Sequence, residues 1–532
     1  MSNEVPGLDW SGERMLPAFQ PPQHLDIYDL RGAASDVQLA VTTMAGIINR
    51  PQPRVYLITS DDDLFWLNHL PGSIPRSTSP ATGDGVLTAL LLAHRSDIQG
   101  LIIYDSNLID TVNIATTLAG QRDAMVVSPD QAQNLHEVYQ LPILADLRSY
   151  HWSSRAQAYR WAQQNLLDGC SARLLAGLDP GNTGNLRSFL VATRTFTYWL
   201  DSRKYLPAPN DGWISERSLM QQIIGAYAPG TVHMGWFIDE SSGVNLTSQA
   251  AIAVLASDLF TNLEVWASTQ FQHPASPSQP ASQAAESRAI ASNKVYVSFT
   301  ISDGDNLQYS QHRMLRIWRD NARGTLPIGW TISPVLAQAA PALAEYYMST
   351  ATPDDELIAG PSGAGYMFPS HWPAEQLASF LQRTGQLMRQ MNTSVLEVLD
   401  TDFWQSSGLP FLSNIRFTGM AFTDERCQQA FAQALAPYGL RAILSGSGLS
   451  SVNWKQVEGV PLYQNLGLAD SVSKTVSLIR KAAGSQRPYF LNVYILAWTM
   501  TPSDLKQVAA QLGADYEIVP PGSLLALLAT TN

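Results

Sequence analysis

Two hydrophobic periods alternate along most of the 532-residue chain, and they are most regular after residue 293. There the short apolar runs KVYVSFTI, LPIGWTI, ELIAG, SVLEVLD, FTGMAF, RAILS, PLYQN, PYFLNVYIL and YEIV read as strands, rich in β-branched and aromatic residues. Between them, LASFLQRTGQLMRQM, CQQAFAQAL, SVSKTVSLIRKAA and PSDLKQVAAQL repeat apolar positions every three or four residues, the spacing of helices with one buried face. About eight strand–helix units over 293–532 predict an α/β fold with a (β/α)8-like barrel. An open doubly wound sheet is the alternative that periodicity leaves standing.

The first half is less regular. Residues 1–20 read as a proline-rich tail. LDIYDL, RVYLIT and LIIYD are strand-like, and DVQLAVTTMAGIINR and NIATTLAG helical, which predicts a small α/β subdomain over 21–148. Residues 149–270 read as a more helical, mainly α subdomain, through RSFLVATRTFTYWLDSRKYL and SQAAIAVLASDLFTNLEVWAS. The stretch 271–292, FQHPASPSQPASQAAESRAIAS, has the composition of a linker.

Composition then narrows the function. The formal net charge is -12 and no Lys/Arg block occurs, so a nucleic-acid partner is not expected. Cys170 and Cys427 stand alone, without the spacing of a disulfide framework or zinc ribbon. No apolar run is long enough to span a membrane, and the amino terminus lacks the pattern of a signal peptide. A cytoplasmic chain is expected as written, or an exported one if a leader was trimmed. Nothing here bears on the oligomeric state.

In both α/β architectures, chemistry collects at the carboxyl ends of the strands. Those ends carry Asp303, Asp305 and Asn306; a loop with Tyr366 and His371; Asp400, Asp402 and Trp404; Asn465; and Tyr494 and Trp498. Carboxylates and amides hydrogen-bond sugar hydroxyls, aromatic rings cover the apolar faces of pyranoses, and paired acids cleave glycosidic bonds. A carbohydrate or other small polar substrate is therefore expected.

Asp303 and Asp305, two apart in extended chain, fall on one side of it at roughly 6.5–7 Å. Carboxylates that close repel, which raises one pKa and creates an acid–base couple. A local Asx turn is the plain alternative. Asp400 and Asp402 repeat the arrangement, with a helix N-cap or turn as their alternative.

An EF-hand loop beginning at Asp303 would need ligands where Leu307 and Met314 stand. Neither His312 nor His371 has a second histidine four residues on. Gly363-Ala364-Gly365 begins like a dinucleotide fingerprint, but Phe368 and Pro369 end it. No metal or cofactor is predicted.

The leading expectation is a glycoside hydrolase with catalytic carboxylates among Asp303, Asp305, Asp400 and Asp402. Asn306, Tyr366, His371, Trp404, Asn465, Tyr494 and Trp498 would line the sugar site. The alternatives are a non-catalytic carbohydrate-binding protein, and a metal-dependent hydrolase or lyase centred on Asp303 and Asp305.

The segment GAGYMFP, Gly363 to Pro369, resembles the signature of the GxGYxYP family, with Phe368 in place of the second tyrosine. TTMAGIINRPQPRVYL (Thr42 to Leu57), GWFIDESSGVNLTSQ (Gly235 to Gln249) and ISDGDN (Ile301 to Asn306) resemble further stretches of that family. The resemblance implies several N-terminal subdomains ahead of a barrel-like C-terminal domain, and glycoside hydrolysis as the activity. It also implies functional roles for Asp239 and Glu240, whose plain alternative is an exposed acidic turn.

Overall fold

The computed structural model describes residues 4–211, 213–271, 291–302, 306–400, 421–449 and 452–529. The chain divides into two compact units, Met1–Phe271 with Gln338–Leu343, and Gln272–Ala337 with Ala344–Asn532. Among the described residues no helix is long and apolar enough to cross a membrane.

The first unit holds three small parallel sheets. β1 (Leu25–Asp29), β2 (Val55–Ile58) and β3 (Arg76–Thr82) run in the order β2-β1-β3. β4 (Gly100–Ile103), β5 (Ala124–Val127) and β6 (Ile143–Asp146) run β5-β4-β6. β7 (Leu174–Gly177), β8 (Phe196–Tyr198), β9 (Val232–Gly235) and β10 (Ala253–Ala256) run β10-β9-β7-β8.

The last sheet lies in the stretch expected to be more helical. RSFLVATRTFTYWL splits into a helix, Arg187–Ala192, and the strand β8; AIAVLAS contributes β10 rather than helix. These strands are only three or four residues long and buried throughout. Such a run shows neither alternation nor a helical stripe, so its period is unreadable. The linker-like residues 272–290 lie outside the described set.

The second unit is the barrel that the alternation predicts. Its strands are β11 (Val295–Ser302), β12 (Ile328–Ile332), β13 (Asp355–Ala359), β14 (Val395–Val398), β15 (Ala442–Leu449), β17 (Val460–Ala469) and β18 (Tyr489–Leu496). These seven parallel strands close when β11 pairs with β12 through Thr300–Gly329 and Ile301–Trp330. β16 (Asn453–Val457) forms an antiparallel hairpin with β17. β19 (Tyr516–Ile518) pairs with the first three residues of β11, below the point where β12 takes over that edge. The first four residues of the FTGMAF run lie outside the described residues.

Side chains alternate across each strand, so one residue set per strand faces the lumen. Near the amino ends that set is large and apolar: Tyr296, Ile358, Val395, Leu444, Tyr463 and Phe490. Leu524, Leu525, Leu527 and Leu528 of the last helix, Pro521–Ala529, pack into the same cluster and seal the floor. Burying each such side chain stabilises by roughly 1.5–3 kcal/mol. Two residues further along each strand the set changes to Ser298, Gly360, Glu397, Gly446, Asn465 and Asn492. The barrel interior thus has an oily floor and a polar tier above it.

Candidate active site

The polar tier is tied together by hydrogen bonds. Ser298 Oγ and Thr300 Oγ1 both donate to Asn492 Oδ1, at 2.6 and 3.0 Å. Asn492 Nδ2 donates to Asn465 Oδ1 at 2.8 Å, and Asn465 Nδ2 to the Gly446 carbonyl at 2.8 Å. Tyr494, paired in register with Thr300, follows Asn492 on the same face of β18 and is buried.

On the opposite wall stands Glu397, which lies within a strand rather than at its carboxyl end. It sits inside β14, fully buried, and its Oε1 accepts a hydrogen bond from Ser302 Oγ at the end of β11. β11 and β14 are three places apart around the ring, so these side chains meet across the lumen. The other carboxyl oxygen, Oε2, has no hydrogen-bond partner among the described residues. Burial pushes the Glu397 carboxyl up to about 8, and the Ser302 hydrogen bond only partly opposes this. At neutral pH Glu397 is a buried carboxylic acid.

The backbone holds it closely. Ser362 donates its N–H to the Glu397 carbonyl at 2.8 Å and its hydroxyl to the Leu399 carbonyl at 2.8 Å. A Cβ on Gly360 would lie 3.1 Å from Glu397 Cβ, so glycine there lets the two strands approach. Just past β14, Asp400 is fully buried and accepts Ser370 Oγ at 2.7 Å.

The other expected residues fall in several places. Asp303, Asp305, Asp402 and Trp404 lie outside the described residues, and Asn306 starts a helix whose first side chain does too. Tyr366 is fully buried, edge-on to Phe368 with ring centroids 5.6 Å apart. Gly363 has φ 122°, and a Cβ there would lie 2.7 Å from Thr384 Oγ1. The GAGYMFP loop is thus a tightly packed turn against the helix Ala374–Gln390. His371 is half-buried, and desolvation lowers its pKa. Trp498 is 45% exposed in the turn after β18. Asp239 and Glu240 belong to the first unit, where Asp239 caps the helix Glu240–Gln249 by accepting from the Ser242 N–H at 3.0 Å. Among the described residues no group of three His, Cys, Asp or Glu side chains could hold a metal ion.

Fold and site together define a multidomain α/β-barrel protein with a fully buried acid in the barrel lumen. Family models match nearly its whole length. The model described as "GxGYxYP putative glycoside hydrolase C-terminal domain" covers residues 293–529, and the first, second and third N-terminal domains of the same family cover 24–78, 98–170 and 172–268. The chain belongs to the GxGYxYP family.

A solved structure described as "a putative hydrolase from Bacteroides thetaiotaomicron VPI-5482" matches with a TM-score of 0.78. The match covers 98% of this chain and 99% of that one at 21% identity, which establishes a shared fold. A UDP-glucose: anthocyanidin 3-O-glucosyltransferase in complex with UDP matches at a TM-score of only 0.13 and 12% identity, over 71% of this chain and 77% of that one, and bears on nothing here. No curated protein matches.

Proposed function

We propose that the chain is a glycoside hydrolase with Glu397 as general acid and Asp400 as the second carboxylate. One observation carries this reading: a fully buried carboxyl in the barrel lumen, held by one oxygen, whose burial pushes its pKa upward. An acid that delivers a proton to a leaving group needs a pKa near the working pH, which burial supplies.

In the reaction, Glu397 gives its proton to the glycosidic oxygen as the C–O bond breaks, and that bond's electron pair goes to the oxygen. Water adds to the anomeric carbon and its proton passes to the second carboxylate. Asn465 and Tyr494, on lumen-facing positions, fit the sugar-contacting role that their chemistry implies. Asp303, Asp305, Asp402, Asn306, Trp404, Trp498, Tyr366, His371, Asp239 and Glu240 remain candidates on sequence grounds. The substrate class is a carbohydrate.

The test is turnover of a glycan panel by Glu397→Gln and Asp400→Asn. Each is expected to lose roughly 10²–10⁴-fold in kcat. Undiminished turnover in both would sink the assignment.

A further inference from the structure

Ser302, which opens the SDGDN stretch, is the residue that reaches Glu397 across the lumen. Its hydroxyl is fully buried, on a strand paired along its whole length with β18. Beyond the strand end, the Ser302 carbonyl still accepts the Ala497 N–H at 3.1 Å, so its backbone is fixed on that side. On the other side Thr331 Oγ1 lies 3.3 Å from Ser302 Oγ and 3.3 Å from the Ile301 carbonyl. Thr331 can thus donate to the serine oxygen while the serine hydrogen goes to Glu397.

We propose that Ser302 is a positioning residue for Glu397: by donating to Oε1 it leaves the transferable proton on Oε2. This rests on the reading of Glu397 as the acid. A protonated carboxyl has one oxygen that accepts and one that donates. Oε1 is engaged as an acceptor, so Oε2 carries the hydrogen, and Oε2 is the oxygen with no partner among the described residues.

The arrangement also acts on the transition state. When the proton leaves Oε2 for the glycosidic oxygen, Glu397 becomes a carboxylate, and a hydrogen bond to a carboxylate is stronger than one to the acid. Ser302 therefore stabilises the carboxylate left behind more than it stabilises the resting acid. Among the described residues, burial raises the Glu397 pKa and the Ser302 hydrogen bond opposes it. Asp400, further along the same strand end, is the adjacent described carboxylate in the chain.

The experiment is a difference-infrared titration of the protonated carboxyl band in the full chain, with the band assigned by its loss in Glu397→Gln. Ser302→Ala is expected to move the midpoint upward by about one pH unit, a tenfold change in the acid constant. Ser302→Thr is expected to restore it, and Ser302→Cys, a weaker donor, to fall between. Should the alanine variant not fold, the cysteine variant carries the test. A midpoint unchanged in the folded alanine or cysteine variant overturns the proposal. No substrate is needed, so this outcome is separate from that of the glycan panel.

Discussion

The carboxylate of Glu356 accepts the Gly522 backbone N–H at 2.8 Å, tying an acid on β13 to the first turn of the helix that seals the barrel. Glu356 is 7% exposed, and burial raises its pKa to about 7, with the Gly522 hydrogen bond opposing. A second acid, Glu397, lies further along the barrel axis with its pKa raised to about 8. The barrel therefore carries two carboxyls that prefer to be neutral.

The Glu356 contribution to stability should fall as pH rises, against the opposite slope that buried His233, its pKa lowered to about 3, adds below its ordinary value of 6.5. Between pH about 4.5 and about 7 the unfolded chain has released the Glu356 proton while the native chain keeps it, so the contribution present at low pH is lost across that window. Glu397 extends the loss to about 8. The two acids each contribute on the order of a few kcal/mol. Urea denaturation from pH 4.5 to 9 should show this slope as the difference between the native sequence and Glu356→Gln. A slope unaltered by that substitution would contradict the assignment.

Catalysis should have an alkaline limit near pH 8. The acid must be protonated to act, so kcat/KM on a hydrolysed glycan should decline as pH rises through about 8. A rate still climbing at pH 9 would remove Glu397 from the role of acid.

Gly329 should be intolerant of a methyl group. A Cβ there would lie 2.6 Å from Ile358 Cδ1 and 2.7 Å from Pro521 Cγ, between the barrel wall and the floor helix. Gly329→Ala should destabilise by roughly 1–3 kcal/mol, read as a lower denaturation midpoint. No change would mean the floor helix is not seated against β12.

Asn492 should be costlier to lose than its size suggests. It accepts from Ser298 and Thr300 and donates to Asn465, so Asn492→Ala strands several buried polar groups at once. A loss of about 2–4 kcal/mol is expected by chemical denaturation. A loss below about 0.5 kcal/mol would show that the ladder is not a unit.

Much of the fold was legible because the barrel strands β11, β17 and β18 are eight to ten residues long and alternate regularly with helices, whereas β8 and β10 have three and four residues. The site was legible only in part. Attention to carboxylates beyond the strand ends finds Asp400 but passes over Glu397, which lies inside the strand at Val395–Val398. Its signal is the acid itself, flanked by Val and Leu in a strand with no polar face. A second signal is the recurring step from a large apolar residue to a small or polar one two positions on: Tyr296 to Ser298, Ile358 to Gly360, Tyr463 to Asn465, Phe490 to Asn492. Tyr366 illustrates the reverse: its motif is conspicuous in sequence, and its ring is fully buried edge-on to Phe368.

The oily floor and polar tier turn height along the barrel axis into a coordinate for mutational outcome. Substitutions at Tyr296, Ile358 or Phe490 should register in unfolding curves and leave substrate preference alone. Those at the next lumen-facing positions, Ser298 and Asn492, should register in both, because the same side chains that face the lumen also hold the polar tier together.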